Sequence, residues 1–160
     1  MKKLLFVVDP LDQFKVYKDT TFSIMREAQW RGYLIAACLP QDIQWKSGGF
    51  VMATVQQISL TGSQPGWYRV HNTMRMALKD FDAVLMRKDP PFNAEYIDAT
   101  HLLEQAERED GNVVNRPRAL RDHPEKLARM EFPLLDTPTM GTRNAASVRD
   151  YHAAPGAITL

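Results

Sequence analysis

Arg87 has the sequence surroundings best suited to chemistry. It follows the apolar run Ala83 to Met86, inside the stretch LMRKDPPF at 85–92. A planar guanidinium is suited to bidentate pairing with a carboxylate or a phosphate. Pro90 and Pro91 stiffen the backbone after it, and a stiff loop holds an arginine fork at low entropic cost. Two readings stay open on pattern alone. Either Arg87 binds an anion at a crevice, or it is consumed in an ion pair with Asp89 or Asp9. Asp9-Pro10 and Asn115-Arg116-Pro117 end two other apolar runs in the same way, which makes Asp9 and Asn115 further candidates. Lys126, in HPEKLARM at 123–130, falls in the first turn of an expected helix. A lysine there opposes the helix dipole, so it either serves a ligand or is an ordinary exposed lysine.

Other chemistry finds little support. No G-x-G-x-x-G follows the first apolar run, and no G-x-x-x-x-G-K-[ST] occurs, so the usual phosphate loops are missing. His71, His101, His123 and His152 are scattered without metal-ligand spacing. No Ser/His/Asp or Cys/His set is visible, and no catalytic or metal-ligating residue is predicted. Trp30, Trp45 and Trp67 are too far apart for a stacking platform. Glu104, Glu107, Glu109 and Asp110 read as the solvated face of a helix.

The candidates must be held by the elements around them. Leu4 to Val8 is a continuous apolar run, as in a strand buried on both faces. Residues 11 to 18 read as a loop. Asp19, Thr20 or Thr21 can cap a helix carrying Phe22, Met25 and Ala28 at helical spacing, with Gly32 placed to end it. Tyr33 to Leu39 is the next strand, completing a β-α-β unit whose default is parallel. Residues 41–72, with turn signals at Gly48-Gly49 and at Gly62, Pro65 and Gly66, predict an antiparallel insertion. Met74, Ala77, Leu78 and Phe81 predict a short amphipathic helix, Ala83 to Met86 a buried strand, and Tyr96, Ala99, Leu103 and Ala106 a longer helix. Asn112 to Asn115 is a last short strand. Beyond residue 117 two short helical pieces are expected, then a helix capped by Asn144, a turn at Pro155-Gly156 and a strand beginning at Ala157.

This alternation predicts an α/β fold, an open, mostly parallel sheet flanked by helices, with a small antiparallel insertion. Ligands of such sheets bind at the carboxyl ends of the strands, where Asp9, Arg87 and Asn115 all fall. The expected division is an N-terminal α/β domain over 1–120 and the start of a second domain over 121–160.

Composition sets the outer limits. The 160 residues are 44% hydrophobic and 24% charged, ordinary values for a globular chain with its own core. Twenty basic and nineteen acidic residues leave a net charge of +1, which gives no reason to expect a nucleic acid or an anionic membrane as partner. The single cysteine, Cys38, excludes an internal disulfide framework and fits a reducing compartment. No apolar run approaches a membrane span, and the expected location is cytoplasmic.

Several stretches together resemble bacterial glutathione synthetase, an ATP-grasp ligase. They are VVDP at 7–10, KDTTF at 18–22, EAQWRGY at 27–33, LMRKDPPF at 85–92, EYIDAT at 95–100, VVNRP at 113–117, LRDHPEKL at 120–127 and TRN at 142–144. They keep the family's order from end to end of the chain, and residues 41–72 depart most. The resemblance implies a Rossmann-like pre-ATP-grasp domain followed by the start of an ATP-grasp domain. It implies a parent enzyme, homo-oligomeric, that joins γ-glutamylcysteine and glycine with ATP and magnesium. ATP phosphorylates the cysteinyl carboxylate, and the glycine amine attacks the acyl phosphate. Arg87 matches the arginine that helps hold the peptide, and Lys126 a lysine that contacts ATP. The family's glycine-rich loop and magnesium ligands come after the point where this chain stops. The resemblance therefore implies a fragment that is inactive alone, or alternatively a stand-alone binding or subunit-docking module derived from the family.

Overall fold

The computed structural model describes residues 1–62 and 66–153. Pro65, Pro155-Gly156 and the strand expected from Ala157 lie outside the described residues. The chain divides into two compact units, Met1–Asp122 and His123–Leu160.

The first unit is built on β1 (Lys3–Val7), α1 (Thr20–Trp30), β2 (Leu34–Cys38), β3 (Ile43–Gln44), β4 (Met52–Leu60), β5 (Tyr68–Ala77), β6 (Ala83–Met86), α2 (Ala94–Arg108), β7 (Val113–Val114) and α3 (Pro117–Asp122). Strand β1 lies in the middle, parallel to β2 on one side and β6 on the other, and β6 is parallel to β7. Strand β4 runs antiparallel to β2 and continues past it to pair with β3. Along its other edge β4 pairs with β5. The result is a parallel four-stranded centre extended by an antiparallel hairpin, as the strand-helix alternation predicts.

The apolar runs are continuous because both sheet faces are covered. Leu5, Val7, Ala36, Cys38, Val84 and Met86 face one way and pack with Ala99, Leu103 and Ala106 of α2. Phe6, Val8, Ile35 and Ala37 face the other way and pack with Phe22, Met25 and Ala28 of α1. Alternate residues of one strand thus fill two cores, and full burial of each Leu, Ile, Val, Phe or Met among them is worth about 1.5–3 kcal/mol. Cys38 is buried here, and burial pushes its thiol pKa up, so it is a core residue with no thiolate character.

Helix α1 is capped by Asp19, whose Oδ1 accepts the Phe22 amide at 3.0 Å. It ends at Gly32, whose φ of +71° suits glycine. Helix α2 is capped by Asn93 in the same manner. At its other end a Cβ on Gly111 would lie 2.7 Å from the Ala106 carbonyl oxygen, so glycine is required there for close approach.

Two expectations are corrected. Residues Met74 to Phe81 are not a helix: the strand β5 runs on to Ala77, and a single 3-10 turn, Leu78–Asp80, follows. Nine residues of β4 are already laid out as a template, and pairing along it outweighs a local helical spacing. The face carrying Glu104 and Glu109 is not simply solvated. Glu109 accepts the Val51 amide at 2.7 Å, and Glu104 pairs with Arg121 of α3.

The Arg121 hydrogen bond holds the Glu104 carboxyl below its usual range. A carboxylate depressed in the folded state adds stability above its unfolded-state pKa, and loses that contribution as the pH falls through its folded value. Arg121→Ala is therefore expected to lower the thermal midpoint at neutral pH. The gap to the parent chain should narrow on acidification toward about pH 3, below the ordinary glutamate range. Melting curves across that range check it, and a gap independent of pH would remove Glu104 as the cause.

The second unit, over its described residues, holds a turn from Pro124, a 3-10 helix Ala128–Glu131 and α4 (Ala145–Ala153). Asn144 caps α4 through the Ala146 amide at 2.9 Å. Arg129 forks onto Asp136, and neither helix buries a residue. Met130, Phe132, Leu134 and Leu135 are exposed. Among the described residues of the chain, no helix is long and apolar enough to cross a membrane.

Candidate functional site

Because β1, β6 and β7 are parallel, their carboxyl ends share one sheet edge; Arg87 and Asn115 follow β6 and β7 directly, and Asp9 follows β1 after Val8. The Arg87 amide donates to the Val7 carbonyl at 2.8 Å, which carries the β1–β6 ladder one residue past the strand. The Pro90–Pro91 and Val114–Asn115 peptide bonds beside this edge are both cis.

Arg87 is not paired with Asp9 or Asp89. An ion pair does close this edge, but Lys88 makes it: its Nζ lies 2.8 Å from Asp9 Oδ1. The second oxygen of Asp9 accepts the Asp89 amide at 2.9 Å. Asp9 is therefore committed to fixing the loop 88–89 against β1. Arg87 makes no ion pair among the described residues. Its Nε donates to Thr21 Oγ1 at 3.1 Å and its Nη2 to Thr20 Oγ1 at 2.7 Å. Two neutral hydroxyls orient the guanidinium without neutralising it.

Those hydroxyls belong to the first two residues of α1. Asp19 supplies the cap, so Thr20 and Thr21 are free to serve Arg87. The guanidinium consequently sits where α1 presents the positive end of its dipole. An open cleft of about 390 Å³ lies in front, lined by Gln13, Lys15, Lys18, Asp19, Thr20, Thr21, Arg87 and Asp89. A smaller recess beside it adds Asp9 and Phe14 to the lining. Tyr96, which packs on Phe92 at 5.2 Å, has its hydroxyl pKa raised by burial, with the charge of Arg87 acting in the opposite sense.

A fixed, uncompensated arginine with two lysines at a helix N-terminus can hold an anion of small-molecule size. Asn115 is exposed at the end of β7, and its side chain has no partner among the described residues. Lys126 belongs to the second unit and is exposed in the turn that starts at Pro124, ahead of the 3-10 helix. No group of three or more His, Cys, Asp or Glu able to hold a metal ion occurs among the described residues.

Lys15, Lys18 and the two threonine hydroxyls were not legible as site residues. They lie in or next to a stretch that reads as a plain loop, and their partner stands 66 and 67 residues away in the threonines' case. The only local signal was a surplus, since three residues in a row could each have capped α1.

Comparison with known proteins fits this geometry. Residues 2–121 match the family model described as "Prokaryotic glutathione synthetase, N-terminal domain". The chain is 47% identical over 156 residues to a glutathione synthetase of Ralstonia nicotianae, covering 98% of this chain and 48% of that protein. Glutathione synthetases of Bordetella pertussis and Vibrio cholerae are 42% and 41% identical, over 98% and 100% of this chain and 51% and 50% of theirs. The chain thus spans about half the length of the curated relatives it matches. With three-quarters of its length inside the family model and the strand-end cleft in place, the chain belongs to the prokaryotic glutathione synthetase N-terminal domain family.

Proposed function

We propose that this chain is the substrate-binding N-terminal part of a glutathione synthetase, an ATP-dependent carboxylate–amine ligase that joins γ-glutamylcysteine to glycine through an acyl phosphate. The observation that carries the proposal is the unpaired Arg87 guanidinium, held by Thr20 and Thr21 at the mouth of the cleft. Its role is to bind a carboxylate of the peptide, which positions the substrate and does no bond-making itself. Lys126 is assigned to contact with ATP on the family's pattern, and residues 121–160 form the start of the ATP-grasp domain. The magnesium of the parent reaction has no ligand cluster among the described residues, so no step here runs through it. The same reading carries a cytoplasmic location and a homo-oligomeric parent.

Titrating the isotope-labelled chain with γ-glutamylcysteine tests the site. Amide shifts are expected at Thr20, Thr21, Arg87 and Asp89, with little change at the far end of the sheet. A spectrum unmoved at millimolar peptide would overturn the proposal. In a coupled assay with γ-glutamylcysteine, glycine, ATP and magnesium, the 160-residue polypeptide alone is expected to form no glutathione.

A further inference from the structure

Besides Arg87, Lys15 and Lys18, the cleft carries charge of the opposite sign, and one carboxylate there stands alone. The Asp89 carboxylate lines both the cleft and its side recess, and no partner reaches it among the described residues. The nearest cation in sequence, Lys88, is turned to Asp9, and its Nζ also donates to the Asp89 carbonyl rather than to the side chain. Asp89 and Arg87 are two residues apart, and the backbone between them is fixed at both ends, by the Val7 carbonyl and by Asp9. Both side chains line the same cleft, yet no Arg87–Asp89 ion pair forms.

An opening that keeps both charges apart and available suits a ligand that carries both. An α-amino acid head does so: its ammonium and its carboxylate leave one carbon, and each needs an opposite charge. Resting on the γ-glutamylcysteine reading above, we propose that the cleft binds the α-amino acid head of the γ-glutamyl residue. Arg87 takes the α-carboxylate, and Asp89 is the specificity-determining residue that takes the α-ammonium. The cysteinyl carboxylate is then left pointing out of the cleft, free to react. A carboxylate in place of the ammonium would sit against Asp89 and is disfavoured at that position.

Three peptides and one variant test this on the full chain, with dissociation constants from amide shifts. γ-Glutamylcysteine should bind about ten-fold or more tightly than glutarylcysteine, which lacks only the ammonium, since a hydrogen bond between charged groups is lost. 4-Aminobutyrylcysteine, which lacks only the α-carboxylate, should be weakened comparably. In Asp89→Asn the preference for γ-glutamylcysteine over glutarylcysteine should collapse, with glutarylcysteine bound more tightly than by the parent chain. Asp89 is exposed, so the variant is expected to fold, and Asp89→Ser provides a second check. If the parent chain binds glutarylcysteine equally well, or Asp89→Asn keeps the preference, the ammonium assignment is wrong while the peptide site stands. If none of the three peptides binds, the peptide-binding reading itself fails and takes this inference with it.

Discussion

Arg87→Lys is expected to bind γ-glutamylcysteine about ten-fold more weakly or worse, although the charge is kept. The guanidinium spends Nε on Thr21 and Nη2 on Thr20, and Nη1 is left without a partner among the described residues. One rigid plane thus divides its donors between its own supports and the ligand. An ammonium has no such plane. It either reaches the ligand and leaves the threonines or stays with them and misses it. Arg87→Ala removes the charge as well, and the loss of a hydrogen bond to a charged group is worth about 1.5–3 kcal/mol, or roughly 10- to 150-fold in affinity. Arg87 is half-buried and leaves the two cores untouched. The thermal midpoint therefore serves as a control, and it should move little in either variant. Undiminished binding by Arg87→Lys would mean that only the charge matters and that the threonine support is incidental.

Trp67→Ala is expected to be the most damaging single change in the first unit, at about 3–5 kcal/mol. The indole is 3% exposed. It stacks on Phe14 with ring centroids 5.3 Å apart, meets Phe22 edge-on at 5.3 Å and packs against Tyr68 at 4.9 Å. Its Nε1 donates to the Leu11 carbonyl at 3.0 Å. That bond anchors the 11–18 segment, whose Gln13, Phe14, Lys15 and Lys18 line the cleft. Trp67→Phe keeps most of the stacking but removes the indole hydrogen bond, leaving the Leu11 carbonyl with the Phe14 amide at 3.3 Å, at about 0.5–1.5 kcal/mol. Urea denaturation orders the two variants against the parent chain. A cost below about 1 kcal/mol for Trp67→Ala would fall well short of the range for deleting a buried aromatic, and would mean that the aromatic cluster does not hold the segment.

What was legible in the sequence was whatever depends on near neighbours. The runs at 4–8, 33–39 and 83–86 stand out because burial on both faces forbids polar residues, and their ends mark one edge of the sheet. Asp19 and Gly32 bracket α1 by local rules. Illegible features share long separations. Strand β5 carries Met74 and Met76 toward the core, yet Met74, Ala77, Leu78 and Phe81 also happen to fall at helical spacing. Only β4, whose Val55 and Met52 pair with Met74 and Ala77, decides between them. Glu104 looks solvated until α3 brings Arg121 back over it. At the site, the sequence showed an arginine and two nearby acids but left open whether the arginine pairs with one of them or binds an anion. In the structure it is Lys88 that takes Asp9.

The central strand has a further consequence during synthesis. Strand β1 receives β2 on one edge after a short helical crossover, but its other edge waits for β6, 79 residues downstream in the register. Between the end of β2 and the start of β6 lie 44 residues (39 to 82), about 2–9 s of translation at 5–20 residues per second. For that interval a nascent β1-α1-β2 unit presents a bare apolar strand edge, and Thr20 and Thr21 face a guanidinium that has not yet been made. The cleft is thus among the last parts of the domain to be assembled, and a ribosome-bound chain paused before residue 83 would be open both to chaperones and to mispairing.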